Sequence, residues 1–301
     1  MDRTIGIGNV GIWSFELRGK TGAETDTAAE LHERGWGALW IAGAGGPGIW
    51  ADAERLLAAG TAAKVALGVL SIWSPDAAVA SSERGRLTGL YGNRLITGLG
   101  VSNPRAAAAA GRSFDTPIRE MTRFLDELDA EGDPIPFDER ILGALGPRMV
   151  ELAGARTGGI HPFLVTPESN ARYRSILGPT KLIAPQQAVI LESDPEKARA
   201  IARRGIGMFY TFPSYQQNLR RLGFTDDDFT RGGSNRLIDA TVAWGGLDAI
   251  RQRVADHLDA GANHVALQVL TEHDAMPSAE WRQLGDALLA SPSSGTNSAR
   301  V

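Results

Sequence analysis

The chain contains no cysteine. Thiol catalysis, disulfide staples and cysteine-based metal sites are therefore excluded, and the composition suits a reducing cytoplasm, where the protein is expected to reside. Histidine is scarce, with five residues at positions 32, 161, 257, 264 and 273. No two have the His-x-x-x-His spacing of a helical metal site, so no metal is expected. Long apolar runs are missing as well. None approaches the roughly 20 residues of a membrane span, and the opening MDRTIGIG lacks the features of an export signal. Neither charge dominates: the net charge is −4 and Lys and Arg are scattered, which leaves no basic face for nucleic acid. There is no G-x-S-x-G elbow, Walker loop or short motif with paired carboxylates, so hydrolase and kinase chemistry find no local support.

What the chain does have is ample core, with 43% hydrophobic and 22% charged residues over 301 positions. The stretch VALGVLSIWSP, residues 65–75, is a buried-strand run that breaks into Ser71-Ile72-Trp73-Ser74-Pro75. Its last residues put polar and aromatic groups at the carboxyl end of a strand, where α/β proteins bind ligands. The same strand-then-helix pattern recurs. Strands are expected at 3–13, 37–42, 65–71, 94–101, 140–145, 159–165, 187–191 and 264–270, each followed by a helix. Eight such units favour an α/β fold of one (β/α)8 TIM barrel over an open sheet. Residues 195–261 are too many for one helix and read as four (195–210, 214–222, 235–243 and 247–260), a helical insertion between strands seven and eight. The barrel is thus expected over 1–290, with 291–301 a disordered tail.

Several motifs bear on function. Residues 6–11 and 43–48 both match G-x-G-x-x-G. The first lacks the flanking strand and helix, and the strand after the second ends Leu70-Ser71-Ile72 without the acidic residue a dinucleotide fold uses. The second therefore reads as an active-site loop. Gly143–Met149, GALGPRM, ends a strand in small residues and begins a helix at Pro147, which offers an anion the amides of a helix N-terminus with Arg148 as a clamp. A plain strand-to-helix turn is the competing reading. His161, in a strand, and His273, after the last strand, are the proton-transfer candidates, whereas His32 and His257 lie in helices and read as surface residues. Trp13, Trp40, Trp50 and Trp73 cluster at the ends of the first three strands, where they would roof the barrel or wall a flat ligand.

RLITGLGVSN (94–103), ALGPRM (144–149), LVTPE (164–168), RLIDATVAWGGLDAIRQRV (236–254) and DAGANHVALQVL (259–270) together resemble the luciferase-like oxidoreductases. The branch they resemble most is the actinobacterial one that uses the deazaflavin coenzyme F420. The resemblance runs from about residue 4 to 290. It implies a (β/α)8 barrel, usually dimeric, with the deazaflavin or flavin ring in the barrel mouth. It also implies a non-prolyl cis peptide at the end of strand three, matching Ser71-Ile72. Ring contacts are implied at Val101, Ser102 and Asn103, and the cofactor's phosphate at Gly146, Pro147, Arg148 and Met149. A substrate would lie beside Trp13, Gly43, Ala44, Gly45 and Trp73. Relatives that oxidise sugar phosphates or alcohols carry Asp-His and Glu where this chain has Ala44-Gly45 and Asn103, so that mechanism does not transfer. The expected activity is hydride transfer between C5 of F420 and a small organic substrate, with His161, Asn103 and His273 as catalytic candidates. An FMN-dependent monooxygenase, and a deazaflavin-binding barrel without turnover, are the alternatives.

Overall fold

The computed structural model describes residues 5–19, 21–43, 48–73 and 76–289. Ser74 and Pro75 at the end of the 65–75 stretch, the loop residues Ala44 and Gly45, and the tail 291–301 lie outside them.

Eleven strands occur among the described residues: β1 (Val10–Ser14), β2 (Ala38–Ile41), β3 (Lys64–Leu67), β4 (Leu70–Ser71), β5 (Leu95–Gly100), β6 (Arg140–Leu142), β7 (Gly159–Ile160), β8 (Leu182–Ile183), β9 (Gln186–Ile190), β10 (Val242–Trp244) and β11 (Val265–Val269). All pairings are parallel, in the order β11-β1-β2-β3-β5-β6-β7-β8. β9 follows β8 after Ala184 and Pro185 and pairs with β11, so the sheet curls back on itself. The amide of Ala184 donates to Ile160 and that of Ala266 to Pro185, at 3.0 and 2.9 Å, and these bonds stitch the seam. Counting β3 with β4 and β8 with β9 as single staves leaves nine: the expected eight in the closed ring, and β10, which pairs with β9 alone. Every residue of β1, β2 and β5 is buried, which is why these strands read as unbroken apolar runs rather than alternating ones.

Among the described residues twelve α-helices surround or cap the barrel: α1 (Ala23–Glu33), α2 (Ile49–Ala58), α3 (Ala77–Tyr91), α4 (Pro104–Ala109), α5 (Pro117–Asp129), α6 (Pro147–Arg156), α7 (Pro167–Leu177), α8 (Pro195–Ile206), α9 (Pro213–Arg220), α10 (Asn235–Thr241), α11 (Leu247–Asp259) and α12 (Ser278–Leu288). Proline in the first turn starts α4 to α9, where its missing N–H costs nothing. Asp76, Asn103, Asp194 and Ser234 cap helices with their side chains. Three packing regions result. One lies between sheet and helices, a second fills the insertion around Ile206, Tyr210 and Phe229, and the third fills the barrel around Trp13, Trp40 and Ile141.

The departures from expectation are local. Residues 242–244, expected at a helix end and just beyond it, form β10 because Val242 and Ala243 find ladder partners in Ala188 and Val189. The short helix α4 was not anticipated. His32 and His257 are buried, not surface residues. Nε2 of His32 donates to Leu56 O while its Nδ1 accepts from the Ala63 amide. His257 accepts from Asn170 Nδ2 and donates to Gln187 Oε1 at 2.7 Å. A helical position says nothing about which face a histidine takes, and here both face inward and are fully partnered.

Candidate active site

A cavity of about 490 Å³ opens at the carboxyl ends of the strands. Its floor is made by backbone that only glycine permits. The Gly68–Val69 peptide bond is cis, three residues before the expected Ser71-Ile72 position, and it separates β3 from β4. The site has no room for a side chain at Gly68: a Cβ there would stand 2.9 Å from Trp13 Nε1 and 3.1 Å from His161 Nε2. Trp13 Nε1 donates to Gly68 O at 3.1 Å. Val69 then occupies the room left by its neighbours. A Cβ on Gly43 would lie 1.5 Å from Val69 O, and one on Gly100 2.3 Å from Val69 Cγ2.

Most of the expected cofactor residues converge here. Ser71, Val101, Ser102, Asn103, Gly146, Pro147, Arg148 and Met149 all line the cavity, as do Trp13 and Gly43. Ile72 and Trp73 do not; both are buried behind the wall, and Trp73 Nε1 donates to Val101 O at 2.6 Å, bracing the strand end. Ser102 takes a left-handed φ of 52°, uncommon outside glycine. Asn103 Oδ1 accepts from the amides of Arg105 and Ala106, capping α4. Its Nδ2 is thus the part able to donate to a ligand.

One end of the cavity is electropositive. Helix α6 begins at Gly146 without a side-chain cap and with Pro147 in its first turn, so its N-terminal amides face outward. Arg148 lines this end, joined by Arg221 from just beyond α9. Arg221's guanidinium nitrogens lie 3.7 and 4.0 Å from the point a Cβ on Gly146 would occupy. Sequence reasoning missed Arg221, since the fold alone brings the insertion to α6.

The histidines behave differently from expectation. His161 borders the cavity but is buried, and desolvation pushes its pKa down to about 4. Its Nδ1 donates to Ala184 O at 2.7 Å and its ring stacks on Trp40, 4.3 Å between centroids. The remaining nitrogen, Nε2, is sealed from solvent without a partner. At neutral pH His161 therefore carries no proton to give from Nε2. His273 is exposed, bonded to Thr271 and 4.0 Å from Glu280, and is not among the cavity residues. Among the described residues no group of three His, Asp or Glu could hold a metal, and no helix is long and apolar enough to cross a membrane. Sequence reasoning also missed Phe15, Phe163, Phe209, Phe212 and Tyr215, which line the cavity; the aromatic density of residues 209–215, FYTFPSY, was the available signal.

No family model matches the chain. Over 117 residues it is 32% identical to a 5,10-methylenetetrahydromethanopterin reductase of Methanolobus tindarius, a match over 32% of this chain and 36% of that one. The match thus spans little more than a third of that relative's length. The coenzyme F420 dependent tetrahydromethanopterin reductase of Methanopyrus kandleri superposes with a TM-score of 0.72 at 15% identity, covering 94% of this chain and 98% of the other. The oxygenating constituent of 3,6-diketocamphane monooxygenase from Pseudomonas putida, solved in complex with FMN, gives 0.68 at 12% identity, covering 93% and 97%. The chain has the luciferase-like (β/α)8 fold that these F420-dependent and FMN-binding proteins share.

Proposed function

We propose that the protein is a cytoplasmic, homodimeric oxidoreductase that binds coenzyme F420 in this cavity and moves a hydride between the deazaflavin C5 and a small organic substrate. The observation that carries the reading is the union in one cavity of a glycine-floored slot at Gly68, Gly100 and Gly143 with the uncapped α6 N-terminus beside Arg148 and Arg221. A flat ring fits the first and a phosphate the second. The F420-dependent neighbour supports the choice of cofactor.

When bound, the deazaflavin supplies the hydride chemistry. The chain's own residues do the rest. The α6 amides, Arg148 and Arg221 hold the phosphate, and Ser71, Val101 and Ser102 border the ring. Asn103 Nδ2 donates a hydrogen bond to ring or substrate. With His161 neutral and its lone pair closed off, the described cavity residues offer no imidazolium or carboxylic acid as a proton donor, so protons exchange with water at the mouth.

An FMN-dependent monooxygenase is the second reading, favoured by the FMN-bound neighbour and by an anion cradle that serves either cofactor. Titrating the protein separately with F420 and FMN, followed by quenching of the many tryptophans, tests both. Saturation by F420 at micromolar concentration or below supports the proposal, preference for FMN supports the second reading, and binding of neither removes both. Light scattering at the same concentrations reads the dimer.

A further inference from the structure

One wall of the cavity, from β1 into the insertion, is a continuous run of aromatic rings. Trp13 packs edge-on against Phe15 and Phe163, with centroids 4.9 and 5.1 Å apart. Phe163 in turn contacts Phe209 at 5.1 Å and Tyr215 at 6.2 Å, and Phe209 meets Phe212 at 5.9 Å. These contacts lead from the end of β1, through the loop after β7, into the insertion, and all six side chains line the cavity. Phe15 keeps 40% of its surface exposed. The rings meet mostly at steep angles, so they offer both edges and faces to an incoming ring.

Charge along the described cavity sits at the α6 N-terminus. Arg148 and Arg221 are the only formally charged residues along the described cavity; no Asp, Glu or Lys lines it. Burial pushes the Tyr215 phenol up, so it stays neutral. An aromatic cage can also attract a cation, but here a cation would meet two arginines and no carboxylate. An anion would be drawn away from the rings toward α6.

We propose that the second ligand of this cavity, its substrate, is an uncharged planar aromatic molecule seated against Phe163, Phe209, Phe212 and Tyr215. The assignment rests on the cofactor reading for the α6 end, and the insertion is then what sets substrate class. Such a ligand stacks on rigid side chains that have little conformational freedom to lose.

The test uses the protein and three probes on one bicyclic skeleton: 2-naphthol, its saturated analogue decahydro-2-naphthol, and 2-naphthyltrimethylammonium. Calorimetric titration is expected to show 2-naphthol binding at least about tenfold more tightly than either of the others. Phe209→Leu and Phe212→Leu keep an apolar side chain and the fold; each is expected to weaken 2-naphthol about three- to tenfold while F420 or FMN affinity stays within about twofold. Arg148→Ala should do the reverse. Equal binding of the saturated alcohol, preference for the cation, or Leu variants that bind 2-naphthol like the parent would each overturn the assignment. Loss of cofactor binding in the parent protein with naphthol binding intact would instead sink the redox reading on which it rests.

Discussion

Trp40 Nε1 donates to His264 Nε2 at 3.0 Å in the interior of the barrel. Because the imidazole accepts there, its proton sits on Nδ1, which donates to Gly8 O at 2.8 Å. The other face of the Trp40 neighbourhood is taken by His161, stacked 13° from coplanar. Two neutral histidines thus flank one tryptophan inside the barrel, and a third, His257, lies buried behind β9.

Acid should unfold this protein earlier than carboxylate protonation alone would. Burial holds the folded pKa of His161 and His264 down to about 4 and of His257 to about 3, against an ordinary value near 6.5. The unfolded chain therefore binds protons first as pH falls. The stability these groups confer is full above about 6.5 and is lost on descending toward 4, at up to about 1.4 kcal/mol per pH unit for each group. The strongly paired carboxylates Glu30 and Asp228, both near 2, add their loss only below about 4.5. Urea midpoints from pH 7.5 to 4.5 check this; a flat profile down to pH 5 would show that the three histidines are not buried neutral.

Glycine at 43 should be irreplaceable for a steric reason that glycine at 146 does not share. Gly43→Ala drives a Cβ into Val69 O and is expected to cost about 1–3 kcal/mol. Gly146→Ala meets only Arg221, at 3.7 Å, and should cost less than about 1 kcal/mol while weakening anion binding. Parallel urea unfolding of the two variants compares them; equal losses would contradict the packing described.

Salt should weaken cofactor binding through two arginines. Arg148→Ala and Arg221→Ala are each expected to lower affinity for F420 or FMN roughly tenfold, the scale of one charge-assisted hydrogen bond at an exposed position. Each should also flatten the dependence on ionic strength. Titrations at low and high salt measure both effects, and an Arg221 variant that binds like the parent would remove the insertion from the anion site.

Tyr210 and Thr241 share a buried hydroxyl pair at 2.6 Å that ties the turn after α8 to the last residue of α10 within the insertion. The threonine hydroxyl also donates to Leu237 O, so the tyrosine is the donor between them. Tyr210→Phe should destabilise by about 1 kcal/mol, and a cycle with Thr241→Val should show coupling of similar size. Additive losses would mean the pair does not interact.

Much of this molecule was legible in its residues. The eight staves of the ring stood out because a strand buried on both faces must be apolar throughout, and the start of α6 because proline is at home in a first helical turn. The aim of individual side chains was not legible. The cis bond fell at Gly68 rather than Ser71, Trp73 turned behind the wall, and His32 and His257 turned inward, since a strand-end or helical position alone does not say what stands opposite.

What the sequence by itself determined is the periodic alternation of buried runs, proline starts and glycine stops, which depends only on neighbours along the chain. Tertiary structure alone decided what meets in the cavity. Arg221 reaches Gly146 across 75 positions and Trp13 reaches Gly68 across 55. Closing the sheet into a barrel brings such distant residues together, and no local pattern along the chain carries that information.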